Sequence, residues 1–221
     1  IKNIGISNKN VSDLVSNCMI GIIVGGRLGY VIFYNPEYYF NNLLEIFKIW
    51  NGGMSFHGGF IGVVIAVIYS SKSYKISLMI FSDLISIVSP IGIFFGRIAN
   101  FINGELYGKV TNHKFGMIFP KGGSLPRHPS QLYEAFLEGL LLFVILWLLM
   151  NMSNFFDKKG LMTGCFIFLY GIFRFFVEFL REPDFHIGNL YLDLSMGQLL
   201  SLPMIIIGLY FIKKFYNKSK I

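Results

Sequence analysis

The sequence predicts an all-α fold, a polytopic membrane helix bundle with six spans. Three observations carry that prediction. The 221 residues are 54% hydrophobic and only 14% charged, where a soluble domain is nearer ~25% charged. The apolar residues gather into six runs close to the ~20 residues that a spanning helix needs. The net charge of +7 is spread over connections and tail, which is the pattern of membrane orientation and not of a nucleic-acid-binding face.

The first predicted span covers residues 14–34 and carries Gly21, Gly25 and Gly29 at four-residue spacing, which allows a second helix to come close. Arg27 lies within it and calls for a carboxylate or a lipid headgroup as partner. Residues 35–53 form a connection whose middle, 38–50, mixes aromatic and charged side chains and reads as a helix lying in the interface. The second span is 54–71 and opens with Ser55-Phe56-His57-Gly58-Gly59. The third is 76–100, with Asp83, Pro90, Gly92 and Gly96 inside it. Pro90 should kink it, and Asp83 reads as a hydrogen-bonding residue between helices.

A polar loop, 103–130, rich in Gly, Pro, Lys and His, follows within what reads as one integral membrane domain. The fourth span is 131–150, the fifth 162–180 and the sixth 197–212, joined by a basic connection at 151–160 and a loop at 181–196 that holds Glu182, Asp184 and Asp193. The Lys-rich tail, with Lys213, Lys214, Lys218 and Lys220, places the C-terminus in the cytoplasm. Alternation then puts Lys158, Lys159, Lys72 and Lys75 inside, and the 103–130 loop, His57 and Arg181 outside. The chain begins at Ile1 without Met, which is expected of a chain truncated at its N-terminus, and no signal peptide is visible. Cys18 and Cys165 lie in separate apolar runs, so neither a disulfide nor a metal site is expected.

Five of the 19 basic residues are Arg, and in a Lys-biased chain Arg marks places that need a flat, forked, always-charged donor. Continuing the third helix through Gly96–Gly108 puts Arg97, Asn100 and Asn103 three apart on one face, a donor-rich set suited to a phosphate. Tyr170, Arg174, Glu178 and Arg181 make a polar stripe on the otherwise apolar fifth span, and Arg174–Glu178 could also be a self-sufficient pair. Gln131, Glu134 and Glu138 share a face of the fourth span, beyond a start at Pro129 that Ser130 or His128 could cap. His57, before a Gly-Gly pair, is a candidate general base, since an ordinary imidazole titrates near ~6.5; a His that only hydrogen-bonds at a helix start is the plainer reading.

Five stretches together resemble the prolipoprotein diacylglyceryl transferase family of bacterial inner membranes: Gly25–Tyr30, Gly52–Gly59, Gly96–Gly108, Arg127–Glu134 and Tyr170–Asp184. The resemblance implies seven spans in the full-length family, the first missing here, and a cell inner (plasma) membrane location with the site toward the periplasmic side. It implies transfer of the sn-1,2-diacylglyceryl group from phosphatidylglycerol to the thiol of the lipobox cysteine of a preprolipoprotein, with release of glycerol 1-phosphate. The nucleophile then belongs to the substrate, and no cofactor or metal is expected. A thiol of pKa ~8.5 reacts as the thiolate, which gives His57, or Tyr170, the role of base. Arg97, helped by Asn100 and Asn103, takes the lipid phosphate. Arg174, held by Glu178, takes the leaving group. Glu105 binds glycerol hydroxyls or locks Arg97, and Gln131 and Arg181 complete the substrate-binding set. A secondary transporter with an intramembrane Arg/Glu site is the rival reading, although no inverted repeat is visible; an intramembrane hydrolase would need a Gly-x-Ser-x-Gly elbow, and none is present.

Overall fold

A computed structural model describes residues 6–152, 158–182 and 194–217. Asp184, Asp193, Lys218 and Lys220 lie outside these described residues. The helices are α1 (Asn8–Phe33), α2 (Pro36–Asn41), α3 (Phe56–Tyr74), α4 (Leu78–Ile102), α5 (Ser130–Glu134), α6 (Leu142–Met152), α7 (Leu161–Val177) and α8 (Met196–Asn217). A π-helical turn, Ala135–Leu141, joins α5 to α6 without a break. Among the described residues there is no named strand, only isolated bridges.

Four stretches are long and apolar enough to cross a membrane: Asn8–Phe33, Leu78–Ile102, Ser130–Met152 and Met196–Tyr216. Of the other two expected spans, α3 has 19 residues and α7 only 17. The chain packs as two units, one ending at Phe81 and one starting at Ser82.

In the first unit α1 and α3 run antiparallel, with Gly21 facing Gly62 and Gly25 facing Gly58. A Cβ on Gly25, Gly58 or Gly62 would overlap the opposite backbone. The glycine spacing therefore buys close backbone contact, as expected from the sequence. Polar ties fix the pair: Asn17 donates to Ser70 Oγ at 3.0 Å, and Tyr74 Oη donates to Asp13 at 2.8 Å. The expected interfacial helix at 38–50 is instead three short pieces, α2 and two 3-10 turns at Leu43–Phe47 and Ile49–Asn51. Their outward side chains, Phe40, Leu44, Phe47 and Trp50, are exposed.

In the second unit Ile87, Leu142, Leu146, Leu161, Met162 and Cys165 form a buried cluster. α7 and α8 pack closely at Gly164, Gly171 and Gly208. α4 runs through Pro90 as one helix. Asp83 supplies what the start of α7 lacks: its carboxylate accepts from Gly160 N at 2.6 Å and from Thr163 N and Oγ1 at 2.8 and 2.7 Å. The free amides at a helix N-terminus need such an acceptor, and here another helix provides it.

Candidate active site

Three elements of the second unit bring charged side chains together. α4 carries Arg97, the α5–π segment carries Glu134 and Glu138, and α7 carries Arg174 with Glu178 as its C-terminal cap residue. Arg97 Nε lies 2.7 Å from Glu134 Oε2, and Arg174 Nη1 lies 3.0 Å from that same oxygen. Glu138 stands further back, 3.7 Å from Arg97 and 3.5 Å from Arg174. Arg174 Nη2 is 2.9 Å from Glu178 Oε2, the expected i,i+4 pair. All three carboxylates are buried. At the start of α8, Gly197 leaves the room that Glu178 occupies, since a Cβ there would sit 2.6 Å from its carboxyl carbon.

The arrangement draws two like charges to one point. Two guanidiniums would repel each other in a low-dielectric interior, and a shared carboxylate removes that cost. Tyr170, one turn before Arg174 on α7, stacks on Phe166.

The segment after α4 is held by backbone acceptors. Gln131 Nε2 donates to Glu105 O, and Ser130 Oγ donates to Leu106 O at 2.9 Å. Ser130 therefore anchors the loop and does not cap α5, whose N-cap is Pro129. Leu106 has φ 54, a left-handed conformation that a branched aliphatic residue adopts only when its surroundings impose it. Arg127 ties the loop together. It donates to Gly122 O at 3.0 Å, lies over the Tyr107 ring at 4.9 Å and meets Glu182 at 2.9 Å.

Several expected contacts differ. The carboxylates that lock Arg97 are Glu134 and Glu138, while Glu105 pairs with Lys121 at 3.1 Å. α4 ends at Ile102, so Asn100 stays on the helix with Arg97, while Asn103 falls in an exposed turn. α7 ends at Val177, so Arg181 is not on the Tyr170–Arg174–Glu178 helix face; it bridges Gly108 instead. The reason is local: the chain leaves the helix through turns in which Leu180 N and Arg181 N both bond Val177 O.

In the sequence Glu134 and Glu138 appear only as a polar face of the fourth span. Charge balance is the signal that points to their role, because two arginines on apolar helices need more than the single carboxylate Glu178. Arg27, expected to meet a carboxylate or a headgroup, gives its N–H donors to main-chain carbonyls among the described residues. It sits buried in the first unit. His57 also belongs to the first unit. It is exposed, second residue of α3, with its ring edge-on to Phe56 at 5.8 Å.

Fold and site thus define a class: a helical protein of membrane-length apolar helices, with arginines gathered on buried carboxylates. The chain belongs to the prolipoprotein diacylglyceryl transferase family, whose model matches residues 1–213. It is 53% identical over 207 residues to the phosphatidylglycerol–prolipoprotein diacylglyceryl transferase of Rickettsia felis, covering 94% of this chain and 80% of that one. The Rickettsia bellii protein of the same name is 53% identical over 209 residues (95% and 80%), and that of Rickettsia canadensis 52% over 203 residues (92% and 78%). Nothing in these matches favours a transporter.

Proposed function

We propose that this protein is a transferase that moves the sn-1,2-diacylglyceryl group from phosphatidylglycerol to the thiol of a lipobox cysteine in a preprolipoprotein, the first step of lipoprotein maturation. Family membership and the two substrates in the relatives' names support the reaction. The thiolate attacks the glyceryl carbon that bears the phosphate. A sulfur–carbon bond forms, the carbon–oxygen bond breaks, the thiol proton passes to a base, and glycerol 1-phosphate leaves.

The observation that carries the site assignment is the pair of guanidiniums on one oxygen, Glu134 Oε2. Charge builds on the departing phosphate, and preset donors there lower the barrier by about 3–4 kcal/mol each in comparable electrostatic sites. A phosphate meets the arginine edges, whose side chains are 17% and 12% exposed while Glu134 and Glu138 behind them are fully buried. Arg97, with Asn100 and Asn103, holds the lipid phosphate. Arg174, oriented by Glu178, meets the leaving group, with Tyr170 beside it. Gln131 and Ser130 fix the loop that presents Glu105, and Arg181 joins the substrate-binding set. His57 takes the thiol proton, with Tyr170 as the alternative.

We further propose six spans in a bacterial inner membrane, within one integral domain, with the C-terminus cytoplasmic and the chemistry on the periplasmic side. The Lys distribution supports the orientation, and the four membrane-length helices support a polytopic membrane protein. The test is release of glycerol 1-phosphate from phosphatidylglycerol by the purified protein and a lipobox peptide. A Cys→Ser peptide should give none. Release that does not depend on the peptide thiol would end the transferase reading.

A further inference from the structure

Arg27 is 4% exposed and lies in the last third of α1, and a guanidinium has five N–H donors. Nε donates to Ile46 O at 2.8 Å, Nη1 to Gly52 O and Gly53 O, and Nη2 to Glu45 O and Lys48 O at 2.6 and 3.2 Å. Five donors meet five main-chain carbonyls, and the Tyr39 ring covers the guanidinium at 5.1 Å. The 3-10 turns at Leu43–Phe47 and Ile49–Asn51 thus wrap around the one cation. Gly52 and Gly53 have φ 79 and 80, a backbone that only glycine adopts without strain, and their carbonyls both reach Nη1.

The wrapped segment runs straight into α3. Ser55 N donates to Gly26 O at 2.8 Å, beside Arg27. Ser55 Oγ then caps α3 by accepting from Gly58 N, and His57 lies between them. We infer that Arg27 is a positioning residue: its guanidinium folds residues 45–53 into the one path that delivers Ser55 to the start of α3 and so sets where His57 points. This rests on the reading of His57 as the base. Lys cannot replace it, because an ammonium offers three donors from one point and lacks the planar fork.

Trp50 sits between two of the bonded carbonyls, Lys48 O and Gly52 O, and the chain has only two Trp. A W147F background therefore reports on the wrapped segment alone. In that background R27K should lower the Trp50 fluorescence anisotropy while keeping a cooperative melt. It should lower kcat by roughly 10²-fold, the scale of a small misplacement of a reacting group, with little change in KM for phosphatidylglycerol. R27A should behave alike, and added guanidinium, but not methylammonium, should restore part of its kcat.

R27K with unchanged kcat and anisotropy would overturn the inference. So would a fall in kcat without a change at Trp50, a rise in KM alone, or variants that do not fold, which would make Arg27 a residue of the fold only. An H57A control separates the two claims. Full turnover by H57A removes the base from His57, while a loosened Trp50 in R27K still leaves Arg27 holding the segment.

Discussion

Glu134 Oε2 is the atom on which Arg97 and Arg174 converge. E134Q keeps the shape and removes the charge that draws the two guanidiniums together. It should lower kcat/KM by about 10²-fold, the scale of losing preset electrostatic stabilisation of a transition state. E178Q touches Arg174 alone and should cost less; parallel kinetics on the two variants check the order. His128, in the loop, is a second residue-scale case. Burial, with a smaller contribution from the charge of His113, holds its imidazole below the usual value. The folded protein then binds fewer protons here than the unfolded chain. Its contribution to stability is present above the ordinary His pKa and is lost as pH falls through the depressed one. H128N should flatten the acid side of a plot of melting temperature against pH below about 6.5. The arginines themselves were legible, because Arg stands out in a Lys-biased chain. Their partners were less so: sequence spacing finds neighbours on one helix, such as Arg174 and Glu178, but not Glu134, which reaches both arginines from a third element.

At the scale of the element, the site depends on a helix that is not uniform. The π-helical turn Ala135–Leu141 carries Glu138 and follows directly on Glu134. Such turns arise where packing overrides the regular ladder, and they recur at functional sites. Nothing in the local sequence announces this one, because its apolar pattern continues unchanged into α6. Glycine spacing was legible and appears as the close α1–α3 contact. G62A should therefore lose about 1–3 kcal/mol, as overpacking does, seen as an earlier thermal melt. Asp83 was legible only as a hydrogen-bonding residue; its place at the start of α7 comes from the tertiary fold. D83A should cost ~0.5–2 kcal/mol, the usual worth of an N-cap, again read from the melt. α7 ends at Val177, three residues before the expected end of the fifth span. The apolar run continues past Val177, and hydropathy does not register the turns that carry Arg181 away.

For the whole molecule, the helical membrane class followed from composition and run length, both of which the solvent imposes. Four helices meet the length and hydropathy of a span, while α3 loses apolar length to its His-Gly-Gly start and α7 to its early end. The loop at 103–130 looked merely polar. It is instead tied by paired backbone bonds, Met117 to Arg127 in both directions and Gly108 to His128, around buried Phe119. Such non-local pairings leave no periodicity in the sequence. The central claim is that Arg97 and Arg174 act as one unit on the phosphate because one carboxylate holds both. The measurement is kcat/KM for glycerol 1-phosphate release by R97A, R174A and the double variant. The expected result is a loss of about 10²–10³-fold in each single variant and little further loss in the double one, the signature of groups that act together. Full turnover by R97A, or losses that simply multiply, would contradict it.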